Sequence, residues 1–178
     1  GEISSRGNHW LGHLSKPFIA MIHGFCIGGG LAIALNADVR FATPASKFGI
    51  PAAKLGLGYE YGGLAKLARL VGPSNARDIM FTGRFLDANE ALTRGLINFV
   101  VSEEEIERRV REYAATIAAN APLTVRAAKA AVDAFERAAS PEVLRQVATL
   151  VDACFDSDDY REGRRAFAEK RKPQFTGK

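Results

Sequence analysis

Hydrophobic positions fall into two regimes along the chain. Up to about residue 100 they come in short runs punctuated by Gly and Pro. Beyond that they recur at the three-to-four-residue spacing of amphipathic helices. Residues 2–15 read as a helix with a ragged first turn, on which Trp10, Leu11 and Leu14 form a short apolar face; Lys16-Pro17 breaks it. Residues 18–23 are short, apolar and bounded by Pro and Gly, which predicts a buried strand. Residues 24–30 form a glycine-rich turn, and 31–36 open a helix of small and aliphatic residues. A second strand over 38–42, a turn over 43–46 and a short strand over 47–49 follow. Gly56 and Gly58 interrupt any helix over 51–58, which reads as irregular.

From Gly62 the pattern is helical. Leu64, Leu67, Ala68 and Val71 share one face until Gly72-Pro73 stops it, and 74–82 form another helix. Asp87 and Glu90 make a capping box for a third helix, which Gly95 ends. A strand over 97–101 precedes a helix over 103–119, capped by Ser102, with Glu103, Glu104 and Glu105 at its positive end. Three more helices are predicted over 122–137, 141–155 and 159–170. The class is α/β, with strands in the first hundred residues and a helical C-terminal half.

Composition narrows the function. At 178 residues, 47% hydrophobic and 25% charged, the chain can bury a core without disulfides or metals. No apolar run reaches the roughly 18 residues of a membrane span, and no targeting peptide opens the chain. Cys26 and Cys154 lie far apart in no metal-like spacing, so a reducing cytoplasm is the expected setting. The net charge of +4 is concentrated at one end: residues 161–178 carry +5 and the rest −1. A local basic end suits a phosphorylated small molecule better than a nucleic-acid surface, which shows a wider stripe. On charge alone a solvated helix end is the more ordinary reading.

The candidate chemistry starts at Gly24-Phe25-Cys26-Ile27-Gly28-Gly29-Gly30. It is neither a Walker A loop nor a dinucleotide fingerprint. Glycines that open a helix let a ligand reach backbone N–H groups unobstructed, and those groups stabilise negative charge. For a thioester such a turn is half of an oxyanion hole. Close packing of helix on strand would call for the same glycines. His9 and His13 have metal spacing but no third ligand near, which reads as a surface pair. His23 reads as a hydrogen-bonded structural residue, Cys26 as a small apolar one, and Tyr61 and Trp10 as packing residues.

The stretch Lys16-Pro17-Phe18-Ile19-Ala20-Met21-Ile22-His23-Gly24 with the three glycines resembles the crotonase (enoyl-CoA hydratase/isomerase) superfamily. So do Ala37-Asp38-Val39-Arg40-Phe41-Ala42, Phe48-Gly49, Leu70-Val71-Gly72-Pro73, Thr82-Gly83-Arg84, Ala88-Asn89-Glu90-Ala91 and Gly95-Leu96-Ile97, in the family's order. The end, from Asp159-Tyr160-Arg161-Glu162-Gly163 to Lys172-Pro173, is similar to the family's closing signature. The resemblance covers nearly the whole chain but begins part-way through the family's pattern, and the chain opens on Gly1, not Met. The part that supplies the other oxyanion N–H and much of the CoA cleft is expected to lie outside it. Residues 1–178 alone are then expected to be poorly stable and inactive.

The resemblance implies a ββα spiral core over 1–100, incomplete at its N-terminus, and a helical oligomerisation and CoA-contacting region over 101–178. It implies an acyl-CoA enzyme of the hydratase/isomerase type that stabilises a thioester enolate. Gly29 falls on the position giving one oxyanion N–H. The family's two catalytic glutamates fall on Ala32 and Ala52, which cannot move a proton. Glu60 falls where dienoyl-CoA isomerases carry a catalytic aspartate; in a partly apolar pocket its pKa would rise and it could shuttle a proton. Tyr59 falls where methylmalonyl-CoA decarboxylase carries an active-site tyrosine, which offers a decarboxylase-like alternative. A non-catalytic member that binds CoA or RNA is a further alternative. Phe167 and Lys170 fall on positions that reach the adenine end of CoA. Coenzyme A enters as part of the substrate, with no permanently bound cofactor, metal, nucleic acid or membrane partner. A homotrimer or hexamer is expected, with Leu144, Val147, Leu150, Val151 and Phe155 on one helix face.

Overall fold

The computed structural model describes residues 10–178. Most of the helix expected over 2–15 lies outside the described residues, as does His9. Residues 10 and 11 are helical, and Trp10 is exposed where packing was expected. The described residues form two compact units, Phe18–Arg111 and Glu112–Lys178, with Ser15–Pro17 grouped with the second.

The first unit is a spiral of two small sheets. β1 (Ile19–Ile22) runs to Gly24, whose φ of 66° turns the chain into β2 (Phe25–Ile27) of the other sheet. α1 (Gly29–Ala34) crosses back to β3 (Val39–Ala42), parallel to β1 with Ile19 opposite Val39. β4 (Lys47–Gly49) lies parallel to β2 with Phe25 opposite Lys47. Each pass thus gives one strand to each sheet before a helix, the crossover that parallel pairing requires. A 3-10 turn (Pro51–Leu55) and α2 (Tyr61–Thr82) follow. β5 (Leu86–Asp87) joins β4 antiparallel, α3 (Ala88–Thr93) comes next, and β6 (Phe99–Val100) joins β3 in parallel. The sheet orders are β1-β3-β6 and β2-β4-β5.

Several boundaries differ from the sequence reading for local reasons. Residues 25–27 are a strand rather than part of a turn, because Phe25, Cys26 and Ile27 pair with β4 and Gly28 N–H bonds Gly49 O at 2.9 Å. Three residues between glycines are too few to display alternation. The strand expected over 38–42 starts at Val39, since the Asp38 carboxylate accepts the Phe18 N–H at 2.7 Å instead. The strand expected over 18–23 is only partly covered: of its four paired residues, Ile22 alone is buried. The expected stop is observed: Gly72, at φ 80° and ψ 155°, breaks α2 into two helical stretches, the second opening at Pro73. The capping box forms: Glu90 N–H bonds Asp87 Oδ1 at 2.8 Å and Asp87 N–H bonds Glu90 Oε2 at 3.3 Å.

The core of this unit joins α1, β4, α2, β5 and the turn before β6 through Leu31, Phe48, Leu67, Ile79, Leu86 and Leu96, all fully buried. Each contributes about 1.5–3 kcal/mol of burial free energy. Around it, Arg84 bridges Asp78 and Glu90, both at 2.9 Å, and Arg94 meets Asp78 at 2.9 Å, tying the end of α2 to α3.

α4 (Ile106–Ala118) begins three residues later than expected. Glu103, Glu104 and Glu105 form a turn, closed by Glu105 and Ile106 N–H groups on Ser102 O. In the second unit α5 (Pro122–Glu136), α6 (Pro141–Asp156) and α7 (Asp158–Glu169) follow, with Ser140 and Ser157 as side-chain caps of the last two. α5 packs on α6. The expected apolar face of α6 is largely uncovered: Leu144, Val151 and Phe155 are 53%, 39% and 60% exposed. After α7 the tail folds back along it. Asp159, 2% exposed, accepts the Thr176 N–H at 2.7 Å and the Gly177 N–H at 2.9 Å. No helix among the described residues is long and apolar enough to cross a membrane.

Candidate functional site

The glycine turn is fixed from below and open above. Gly28 takes φ 55° and ψ −115°, a conformation that favours glycine, and its N–H is anchored on Gly49 O. Its carbonyl accepts the first helical bond of α1, from Ala32 N–H at 2.9 Å. Gly29 and Gly30 have no positive φ, so conformation does not explain them. Nor does packing: a Cβ added at either would meet no described atom within 4 Å. The close-packing reading of these two glycines is therefore corrected. Their first-turn N–H groups stand at a bare, exposed helix start, where a helix leaves its amide donors without intrahelical acceptors.

The same core carries the neighbouring candidates. Leu31 of α1 and Ala52 of the 3-10 turn belong to one buried cluster, and Tyr59 packs against it. Ala32 is half-buried and Ala52 is 4% exposed. The Tyr59 ring lies over Gly63, where a Cβ would come within 2.8 Å of Tyr59 Cε1. Burial of the ring pushes the phenol above its ordinary pKa. Glu60 is different. It is exposed, stands at the N-cap of α2 and makes no side-chain cap bond. No described residue buries the Glu60 side chain. Tyr61, expected to pack, is 83% exposed.

His23 is hydrogen-bonded as expected, through Nδ1 to Glu103 Oε1 at 2.7 Å. Cys26 is buried, and burial pushes its thiol up to about 11, partly offset by the charge of Arg40. His13 is exposed, and the described residues hold no group of three or more metal-ligating side chains.

In the second unit, Phe167 is 88% exposed on α7 yet lines an apolar groove of about 590 Å³ with Val151, Cys154, Phe155 and Phe175. Lys170 ends α7 in the left-handed region at φ 54°. The sequence reading missed two buried charges. Asp159 receives the tail, and Arg40, 2% exposed, stands inside β3. The available signal for Arg40 was a charge between Val39 and Phe41 in a strand otherwise apolar; for Asp159 there was none beyond its place in a helix start.

A family model described as enoyl-CoA hydratase/isomerase matches residues 6–178. A crotonyl-CoA hydratase of Syntrophomonas wolfei is 38% identical over 165 residues, covering 93% of this chain and 64% of that protein. A short-chain-enoyl-CoA hydratase of Clostridium acetobutylicum is 37% identical over 159 residues, covering 89% and 61%. The crystal structure of an enoyl-CoA hydratase from Bacillus anthracis superposes with a TM-score of 0.92 at 32% identity, over 99% of this chain and 69% of that one. An enoyl-CoA hydratase/carnithine racemase from Magnetospirillum magneticum gives 0.87 at 36% identity, over 98% and 64%. The chain spans less than two thirds of the length of these two curated relatives.

Proposed function

The chain belongs to the enoyl-CoA hydratase/isomerase (crotonase) family, and on that premise we propose that the protein acts on acyl-CoA thioesters by stabilising an enolate at the N–H of Gly29. The observation that carries this is the open glycine turn. Gly29 and Gly30 serve neither conformation nor packing, and what their missing side chains leave is approach to a main-chain donor. A hydrogen bond aimed at the thioester oxygen strengthens as that oxygen gains charge, so it lowers the barrier rather than merely binding substrate.

The reaction that follows depends on proton traffic. In hydration, water oxygen bonds the β carbon while a proton reaches the α carbon; in isomerisation, a proton leaves one carbon and returns to another. With Ala32 and Ala52 at the family's glutamate positions, Glu60 is the carboxylate we assign to proton transfer. A decarboxylase-like reading has its own support, because Tyr59 is half-buried against the core while Glu60 is exposed. There the bond to a carboxylate breaks, its electron pair enters the thioester enolate and CO₂ leaves; Tyr59 is the residue we assign to protonating the α carbon on that reading. The two alanines alone would also suit a non-catalytic CoA-binding or RNA-binding protein.

Phe167 and Lys170 are proposed to meet the adenine end of CoA, and the uncovered face of α6 to meet further copies in a trimer or hexamer, the whole working in the cytoplasm. The uncovered Leu144, Val151 and Phe155 support the assembly; a monomer by light scattering would refute it. Incubation with crotonyl-CoA, a dienoyl-CoA and methylmalonyl-CoA separates the readings: hydrated or shifted product supports the leading one, CO₂ release the second. Tight CoA binding with no turnover of any of the three supports the non-catalytic one.

A further inference from the structure

We infer that Arg40 is a positioning residue for the Gly29 N–H, holding α1 in the direction that aims it. A six-residue helix has no stability of its own. Its direction is set by what grips its two ends. The start is gripped by main chain, through Gly28 N–H on Gly49 O. The far end is gripped by two side chains: Asn36 Nδ2 donates to Ala32 O at 2.9 Å and to Ile33 O at 3.3 Å, and Arg40 takes the carbonyls beyond them. Arg40 Nη1 donates to Ala37 O at 2.5 Å and to Ala34 O at 3.3 Å, the carbonyls at and just beyond the end of α1. Arg40 Nε donates to Leu96 O at 2.8 Å, in the turn before β6. Arg40's own N–H is fixed by Asn98 Oδ1 at 2.8 Å. One planar guanidinium thus ties the end of α1 to β3 and to the approach to β6, at 2% exposure.

Burying a full charge is costly unless its donors are taken up. A core strand that needed only packing would carry an apolar residue here, as it does at Phe41 and Ala42. The guanidinium charge reaches Cys26, in the strand that leads into Gly28, where it offsets part of the rise that burial imposes on the thiol. A second tie, between Lys66 Nζ of α2 and Asn36 Oδ1, restrains the turn after α1 from another side, so loss of Arg40 would tilt α1 rather than release it.

The inference rests on the thioester reading of Gly29, and its test separates the two. The probe is crotonyl-CoA carrying ¹³C at the thioester carbonyl, with the carbonyl resonance and steady-state kinetics read on the complete protein and on Arg40→Lys and Arg40→Gln. Lys keeps the buried charge with fewer, less directed bonds, and it carries the test if the Gln variant does not fold. Misplacing a reacting group by about 1 Å costs on the order of 10²-fold. The expected result is a kcat lower by about that factor per folded molecule, KM within about twofold, and a bound carbonyl resonance moved back towards its unbound position. A residue that only stabilises the fold would lower the melting temperature and leave kcat and the resonance alone; that outcome overturns the inference. If the unaltered protein itself binds the probe without moving the resonance, the Gly29 reading fails first.

Discussion

Asp159→Ala tests how the tail is held. The Asp159 carboxylate is 2% exposed, and its two oxygens are divided between two successive main-chain donors: Oδ1 takes Thr176 N–H at 2.7 Å and Oδ2 takes Gly177 N–H at 2.9 Å. The Thr176 hydroxyl adds a long contact at 3.5 Å. From the other side, the Asp158 and Asp159 N–H groups donate to Lys178 O at 2.7 and 3.3 Å. The tail and the start of α7 thus satisfy each other's main chain. Hydrogen bonds to a charged group are worth about 1.5–3 kcal/mol each. Two of them set a ceiling of about 6 kcal/mol. The loss falls below that ceiling, because the tail can swing away and give both N–H groups to water. The remaining ties, through Lys178 O and from Gln174 N–H to Glu162 Oε1 at 3.0 Å, are lost in the same motion.

The net expectation is a tail-opening equilibrium shifted by about 3 kcal/mol, or roughly 150-fold. The assay is amide hydrogen exchange resolved at Thr176 and Gly177, which reports local opening directly. Both amides should exchange about 100-fold faster in Asp159→Ala while the core amides of Leu67 and Ile79 do not change. Asp159→Asn should fall between, because its amide keeps one acceptor and turns a donor towards a donor. Unchanged exchange at Thr176 and Gly177 would refute the reasoning. So would a loss spread evenly over the chain, because the contacts named act only on the tail.

Three further outcomes are expected. The Arg171 and Arg165 guanidiniums hold the Glu162 carboxyl well below the usual carboxylate range, and Gln174 N–H adds to them. A depressed carboxyl contributes fully above the ordinary range and loses its contribution as pH falls through its folded value, so tail protection should persist at pH 7 and be lost in strong acid, and Glu162→Gln should show the loss at neutral pH. Burial pushes the Cys26 thiol up to about 11, so alkylation of the native protein at pH 8 should mark Cys154 before Cys26. Because the unfolded thiol ionises first, stability should fall between the ordinary thiol range and pH 11; equal labelling of the two cysteines would contradict the burial. If Glu60 carries the proton, Glu60→Gln should lower kcat by about 10²–10⁴-fold with little change in CoA-ester binding; intact turnover beside an inactive Tyr59→Phe would transfer the role to Tyr59.

Much of the fold was legible because it is written in local signals. The Asp87–Glu90 capping box appears as read, since both partners lie within one turn. Pro122 and Pro141 begin their helices as Pro does at a first turn. What escaped was long-range. β2 exists because residues 47–49 pair with it, and β5 because Leu86 pairs with Phe48; neither has a pattern of its own. Helix α1 starts at Gly29 although glycine disfavours helices, because Gly28 is anchored on Gly49. The site was legible in the same uneven way. The glycine run is visible in one dimension, but whether its bareness serves packing or approach is a matter of which atoms stand nearby. Arg40 is legible as an odd charge in a strand, and its use appears only when Ala34, Ala37 and Leu96 carbonyls converge on it.

The two alanines sharpen what the main chain must do. Side-chain acids and bases act by moving protons, and their value depends on pKa and reach. A main-chain N–H does neither; it contributes by being already aimed where charge will develop. On the proposed reading, with Gly29 as the donor and Ala32 and Ala52 at the family's two glutamate positions, the site leans on that aim more heavily than one that retains both glutamates. Misaiming α1 would then remove a larger share of the catalysis than it would beside two glutamates. Restoring Ala32→Glu in the protein should therefore lessen the kcat penalty of Arg40→Lys, with the two substitutions compared singly and together in one cycle. Additive effects on log kcat would show that aim and proton transfer act independently, and would refute this dependence of the alanine site on its main-chain donor.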